Sequence, residues 1–221
     1  MIGYGPKTSL AVVGREIDPG GLADVAEGLA RDVALFDQRG CLSVAAVYTA
    51  GDAEALASHL ESSLDALARL WPPGPADPAV QATVQQIRLE AEMRGLRPPR
   101  LPLSAGTVLV DPDPTFRPSP GLRTVRIHPL PDLERLPALL APWRGRLQGA
   151  ALAGEDAWKL GPELGDLGVS RCAAPGDLQS PDARWHNGGI DPLEVLGLSQ
   201  DSLSPRGERG LGSNSPSPGR V

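Results

Sequence analysis

Cys41 is the residue of this chain best placed to do chemistry. It follows DVALFDQRG, read as the end of a helix, and precedes VAAVYT, read as a strand. Helix-to-strand connections carry functional groups on a rigid scaffold. Gly40, directly before the thiol, lets another backbone or a substrate come close. The backbone N–H groups of such a turn can hold an oxyanion. A thiolate there can attack a carbonyl or a thioester and form a covalent intermediate. The competing reading is a small buried hydrophobe, the commonest role of a free cysteine. The setting alone leaves both readings open. Cys172, at the end of GVSRC, is read as structural. Two cysteines and three histidines, all widely separated, offer no metal-ligand spacing.

Elements must position that thiol. Residues 9–14, SLAVVG, read as a buried strand. Asp18-Pro19 is a helix start. Leu22, Val25, Ala26, Leu29, Ala30, Val33 and Phe36 then recur at helical spacing, predicting a helix over 21–36. A strand follows at 44–50. A helix over 52–70 carries a core stripe of Leu56, Leu60, Leu64 and Leu67, with Asp52 as its cap. A third helix over 78–94 stops at Gly95. Strands at 107–110 and 124–127, a short helix at 132–140, a strand at 147–153, a helix at 156–164 and a strand at 168–172 complete the series. Alternating strands and helices indicate an α/β domain with a mostly parallel sheet flanked by helices. Beyond residue 197 the chain is Ser, Pro, Gly and Arg with almost no large apolar side chain. Residues 198–221 are therefore expected to be a disordered low-complexity tail.

A net charge of −6 argues against nucleic acid or an anionic membrane as partner. No apolar run approaches the ~20 residues of a membrane span. The N-terminal residues lack the pattern of a signal peptide. Two cysteines are too few for a disulfide framework and fit a reducing cytoplasm.

The motifs together are more specific than the thiol alone. Gly3-Tyr4-Gly5-Pro6-Lys7 opens the first strand, a long helix follows, and Gln38-Arg39-Gly40-Cys41 precedes the next strand. This order resembles the catalytic core of the aldehyde dehydrogenase superfamily, where Glu-Leu-Gly-Gly-Lys opens a strand and a cysteine follows Gly-Gln-x. DQRGCLS and, over 184–196, RWHNGGIDPLEVL are similar to the nucleophile and C-terminal segments of the LuxC-type acyl-CoA reductases. The resemblance covers roughly residues 3–196.

It implies reduction of a fatty acyl thioester to an aldehyde by NADPH, through an acyl group held on Cys41. The donor would be an acyl-CoA or an acyl-protein, and the assembly a homo-oligomer or a complex with an acyl-transferring partner. The Cys41 backbone N–H is the implied oxyanion donor. Gly3 stands where oxidising relatives carry the glutamate that activates water, which disfavours an aldehyde-oxidising enzyme. Tyr4 is a candidate to fill the space. Most of the family's cofactor-binding domain precedes its first motif, and no Gly-rich phosphate turn follows an early strand here. The chain is thus expected to be the catalytic portion of a longer reductase, incomplete at the N-terminus, the alternative being a silent fragment or interaction module. Phe116 falls where oxidising relatives carry a cofactor-binding glutamate, so no cofactor contact is assigned there. Gly40, Ser43, Lys7 and His186 are the candidate neighbours of Cys41. Each has a plain competitor: close packing for Gly40, strand entry for Ser43, a carboxylate partner for Lys7, and packing of the C-terminal segment for His186. His59 and His128 are read as structural or exposed. Asp37 and Gln38 are expected to shape the nucleophile loop.

Overall fold

The computed structural model describes residues 6–182 and 185–187. Six strands form one sheet in the order β3-β4-β2-β1-β5-β6. They are β1 (Thr8–Val13), β2 (Val44–Thr49), β3 (Thr107–Val110), β4 (Thr124–Pro129), β5 (Leu147–Ala153) and β6 (Arg171–Ala173). Every neighbouring pair is parallel. The central strands are mostly apolar because both faces of the sheet are covered. Ala11, Val13, Val44 and Val47 face a core shared with α1 (Pro19–Ala34) and α2 (Ala53–Leu70). Leu10, Val12, Ala46 and Tyr48 face a second core closed by α4 (Leu136–Leu140) and α6 (Gly161–Asp166). Phe116 is buried in that second core, edge-on to Trp143. In chain order α3 (Pro78–Met93) follows α2, and α5 (Glu155–Trp158) precedes α6.

The helix starts follow local chemistry. Asp18 accepts from the Gly21 N–H at 2.6 Å, Asp52 from Glu54 and Ala55 at 2.9 Å, and Asp77 from Ala79 at 2.7 Å. Each satisfies N–H groups that the first helical turn leaves unpaired. Gly95 takes φ +67° and ends α3 as expected.

Three elements differ from the sequence reading. Helix α1 ends at Ala34, two residues early, because residues 36–38 leave the helical region. The helix expected over 156–164 is two short ones, α5 and α6, since Gly161-Pro162 restarts the chain. The strand expected over 168–172 is confined to Arg171–Ala173. Gly168 adopts φ +99° and the Val169 N–H bonds back to the Leu164 carbonyl, so 168–169 serves to end α6. The end of the expected catalytic unit at 197, and the tail at 198–221, lie outside the described residues. Among the described residues no helix is long and apolar enough to cross a membrane.

A buried ion pair ties 97–100 to α2. Arg97 Nη2 lies 2.6 Å from Glu61 Oε2, with both side chains at least 93% buried, and the Arg100 N–H donates to Glu61 Oε1. Removing one partner strands the other charge. Glu61→Ala is expected to destabilise the fold by about 3 kcal/mol, the lower end of the usual range, because exposed Glu54 still pairs with Arg97. Calorimetric unfolding tests this, and an unchanged melting temperature would contradict it.

Candidate active site

The site lies at the N-terminal ends of the strands, the edge opposite to where open α/β sheets usually bind ligands. Lys7 immediately precedes β1, Cys41 lies just before β2, Ser119 lies before β4, and Gln148 is the second residue of β5. All four line one open cleft of about 460 Å³, together with Gln38, Arg39, Gly40 and Ser43.

Three consecutive residues deliver the thiol. Phe36, Asp37 and Gln38 all adopt left-handed φ values of 55°, 51° and 60°. Each costs about 1–2 kcal/mol for a residue with a Cβ, so the turn persists only because its surroundings hold it. Gln38 is the main clamp. Its Nε2 donates to the carbonyls of Val44 (2.7 Å) and Thr124 (2.9 Å). Its Oε1 accepts from the Thr124 N–H (2.8 Å) and the Ser119 hydroxyl (2.9 Å). Asp37 adds an ion pair with buried Arg123 at 2.9 Å and accepts from the Gly74 N–H.

Past this turn the Cys41 side chain is exposed to the cleft. Its carbonyl accepts from the Ser9 hydroxyl at 2.7 Å, and the Ser43 N–H closes the bend onto the Gly40 carbonyl. The Cys41 N–H donates no hydrogen bond among the described residues, so it is free to meet an oxyanion. Residue 40 is glycine for space. A Cβ there would sit 3.0 Å from Gln179 Oε1 and 3.3 Å from Ser43 Oγ. That Ser43 hydroxyl is buried with no partner among the described residues.

Behind the turn, residues 174–180 brace the end of α1. Gln179 Nε2 donates to the Asp32 carbonyl at 2.6 Å, and the Gly176 N–H donates to Asp32 Oδ2 at 2.7 Å. A Cβ on Gly28 would lie 2.4 Å from the Pro175 carbonyl, so glycine is needed for this close approach. Asp32 is fully buried, and burial pushes its carboxyl up to about 6. A carboxyl whose folded value is raised binds its proton more tightly folded than unfolded. Stability therefore falls as pH rises from about 4 to about 6 and stays lower above that. Asp32→Asn keeps the acceptor for Gly176 without the buried charge. It is expected to gain up to about 3 kcal/mol at pH 8 and little at pH 4. Equal melting shifts at the two pH values would contradict this.

The structure thus brings Lys7, Gly40, Cys41 and Ser43 together. His186 is exposed and does not line the cleft, whereas its neighbour Asn187 does, held by Gln148 Nε2 at 2.8 Å. Trp185 anchors this segment through its Nε1 on the Ser170 carbonyl. Gly3, Tyr4, Arg184 and residues 188–196 lie outside the described residues. His128 is buried far along β4, where burial lowers its basicity and its Nδ1 meets the Asp111 carbonyl. Cys172 is half-buried on β6, and burial pushes its thiol up. Ser9, Ser119 and Gln148 escaped the sequence reading. Gln148 left one signal, a lone polar side chain inside LQGAALA.

Comparison with known proteins bears on the family and the fold. The acyl-CoA reductase (LuxC) family profile matches residues 1–198. The long-chain acyl-protein thioester reductase of Aliivibrio fischeri is 26% identical over 207 residues, which is 93% of this chain and 40% of that protein. The chain therefore spans about two-fifths of that relative's length. An oxidoreductase from Marinobacter aquaeolei superposes with a TM-score of 0.58 at 13% identity, over 77% of this chain and 39% of that one. An NAD-dependent benzaldehyde dehydrogenase from Corynebacterium glutamicum gives 0.54 at 14% identity, over 84% and 40%. At these identities the structural matches establish an aldehyde-dehydrogenase-like fold. With the family profile covering nearly the whole of the chain, this protein belongs to the acyl-CoA reductase (LuxC) family.

Proposed function

We propose that this chain is the acyl-accepting portion of a cytoplasmic reductase that converts a fatty acyl thioester to an aldehyde, with Cys41 as nucleophile. The donor is an acyl-CoA or an acyl-protein. One observation carries this reading: an exposed thiol on a strained, clamped turn, beside its own unpaired N–H, in a cleft with no carboxylate among its described lining residues. The thiolate adds to the acyl carbonyl and the electron pair moves to oxygen, where the Cys41 N–H receives it. Collapse breaks the bond to the carrier sulfur, which leaves and takes up a proton, and the acyl group remains on Cys41. No acidic side chain is at hand in the described cleft to activate water against that thioester.

NADPH, the cofactor implied by the family, would supply the hydride that releases the aldehyde. The described residues do not fit it. At the carboxyl ends of the strands, where dinucleotides usually bind, the cleft presents Asp132, Glu134, Asp156 and Glu163, with Arg15 held on the Pro131 carbonyl and Lys159 paired with Glu155. A Cβ on Gly14 after β1 would strike Asp156 Oδ1 at 1.8 Å, so no open glycine turn awaits a phosphate there. The reaction assigned to these residues is acyl capture.

Incubating the protein with a long-chain acyl-CoA should add one acyl mass, mapped to the peptide carrying Cys41. An adduct absent, or found only on other residues, would rule the reading out and leave a silent interaction module as the better one.

A further inference from the structure

We propose that Ser9, on β1, is the residue that positions Cys41 for acyl transfer, by gripping the carbonyl of the nucleophile itself. This inference rests on the acyl-capture reading and adds to it a residue that does not line the cleft.

Two peptide planes meet at the Cys41 Cα, and together they set where its Sγ and its N–H point. The first, Gly40–Cys41, is held where the Gly40 carbonyl accepts from the Ser43 N–H at 3.0 Å. That contact makes residues 40–43 a four-residue bend with Cys41 and Leu42 at its centre. Types of such bend differ by turning over the central peptide, here Cys41–Leu42. The Ser9 hydroxyl holds that second plane, donating to the Cys41 carbonyl at 2.7 Å. The Leu42 N–H, at the other end of the plane, donates to no group among the described residues. Ser9 therefore supplies the one hydrogen bond that fixes this plane among the described residues.

The sheet is built to bring the hydroxyl there. Ser9 pairs with Val44 and Leu10 with Ala46, so β2 carries one extra residue beside it. Thr8 pairs with Leu147 and Leu10 with Ala150, so β5 carries one too. Bulges re-aim side chains and gather beside active sites. Both neighbours of β1 are irregular at the level of Ser9. The residues left out of register include Ala45 on β2 and Gln148 on β5, and both line the cleft. Gly149 leaves the room that the hydroxyl needs. A Cβ on it would lie 3.0 Å from Ser9 Oγ, 2.9 Å from Leu42 Cδ2 and 3.0 Å from Leu178 Cδ1. Ser9 is fully buried beside those apolar side chains. An alanine would pack there and need no partner, whereas a buried hydroxyl costs stability unless it is hydrogen-bonded. Packing alone thus does not call for serine at this position.

Backbone order and acylation kinetics test the proposal on the full chain. Labelling cysteine with ¹⁵N gives two amide signals, Cys41 and Cys172, because the chain has two cysteines. In the wild type the Cys41 amide should have the order parameter of rigid backbone, about 0.85, and in Ser9→Ala it should fall toward about 0.6. Cys172, on β6, should not change. Maximal acylation of Cys41 by a long-chain acyl-CoA is followed by intact mass at a temperature where both proteins are folded. It should slow roughly tenfold in Ser9→Ala, the net worth of one hydrogen bond. The half-saturating concentration should stay at the wild-type value, because Ser9 does not line the cleft. Alkylation of Cys41 by iodoacetamide should keep the wild-type rate and pH profile, since displacement at a saturated carbon develops no oxyanion. Gly149→Ala keeps the hydroxyl but crowds it. It should slow acylation too, with no further loss when combined with Ser9→Ala, as expected of residues that act as a unit. The proposal is overturned by an ordered Cys41 in Ser9→Ala, by a wild-type maximal rate, or by a loss that alkylation shares. It is equally overturned if the effects of the two substitutions multiply. A wild-type chain that forms no adduct would sink the acyl-capture reading, while the amide signals would still decide whether Ser9 holds Cys41.

Discussion

Cys41→Ala is expected to abolish acyl capture, leaving no adduct with any thioester donor and a fold of wild-type stability. The reason for the first half is chemical: among the described residues no other nucleophile of comparable softness lines the cleft. Cys172 serves as the internal control. It sits on β6 with burial pushing its thiol up, so its thiolate is scarce at neutral pH. The reason for the second half is exposure. The Cys41 side chain faces the cleft, and its structural contact is the backbone carbonyl that Ser9 holds, which alanine retains. Surface substitutions of this kind stay within about 0.5 kcal/mol. Intact mass and thermal unfolding of the same sample check both halves. Adduct persisting at wild-type level in the variant would remove Cys41 from the mechanism.

Gln38→Met should be the most damaging change that leaves every lining atom of the nucleophile itself in place. Methionine matches the length and volume of glutamine, so little cavity forms and the hydrogen bonds are what is lost. Four are lost at once, to Val44, Ser119 and both backbone groups of Thr124. Unsatisfied buried groups cost about 1–3 kcal/mol each. Sharing of the Thr124 N–H with the Gly121 carbonyl softens the loss, so about 3 kcal/mol in total is expected. The kinetic effect should exceed what that destabilisation alone would bring. Residues 36–38 hold strained φ values only while clamped, and a released turn lets Cys41 drift. A shift of about 1 Å at a reacting atom costs on the order of 10²-fold in rate. The acylation rate of Cys41 should fall by that order at temperatures where the variant is fully folded. A variant that melts earlier but acylates at the wild-type rate would show that the turn is held by Asp37–Arg123 instead.

Much of the scaffold was readable from residue type. The apolar runs at 107–110 and 147–153 mark their strands to the residue because both sheet faces are covered. Asp18, Asp52 and Asp77 announce their helices through a chemistry that is local. The end of α1 was not readable: Phe36 completes the apolar spacing, yet its backbone turns left-handed, and no periodicity reports a φ angle. Gln38 was expected to shape the loop, but its partners at Ser119 and Thr124 lie 81 and 86 residues away.

The sequence by itself therefore determined the parallel α/β class, the helix starts and, through its motifs, the thiol to watch. The convergence around that thiol belonged to the tertiary structure. Strand order decides it: β5 pairs with β1 and β4 with β2, so Gln148 and Ser119 arrive beside Lys7 and Cys41 from distant parts of the chain. It also set Asn187 in the cleft and left His186 outside. Local propensities act over a few residues, whereas sheet order follows from burying two faces at once, a property of the whole chain.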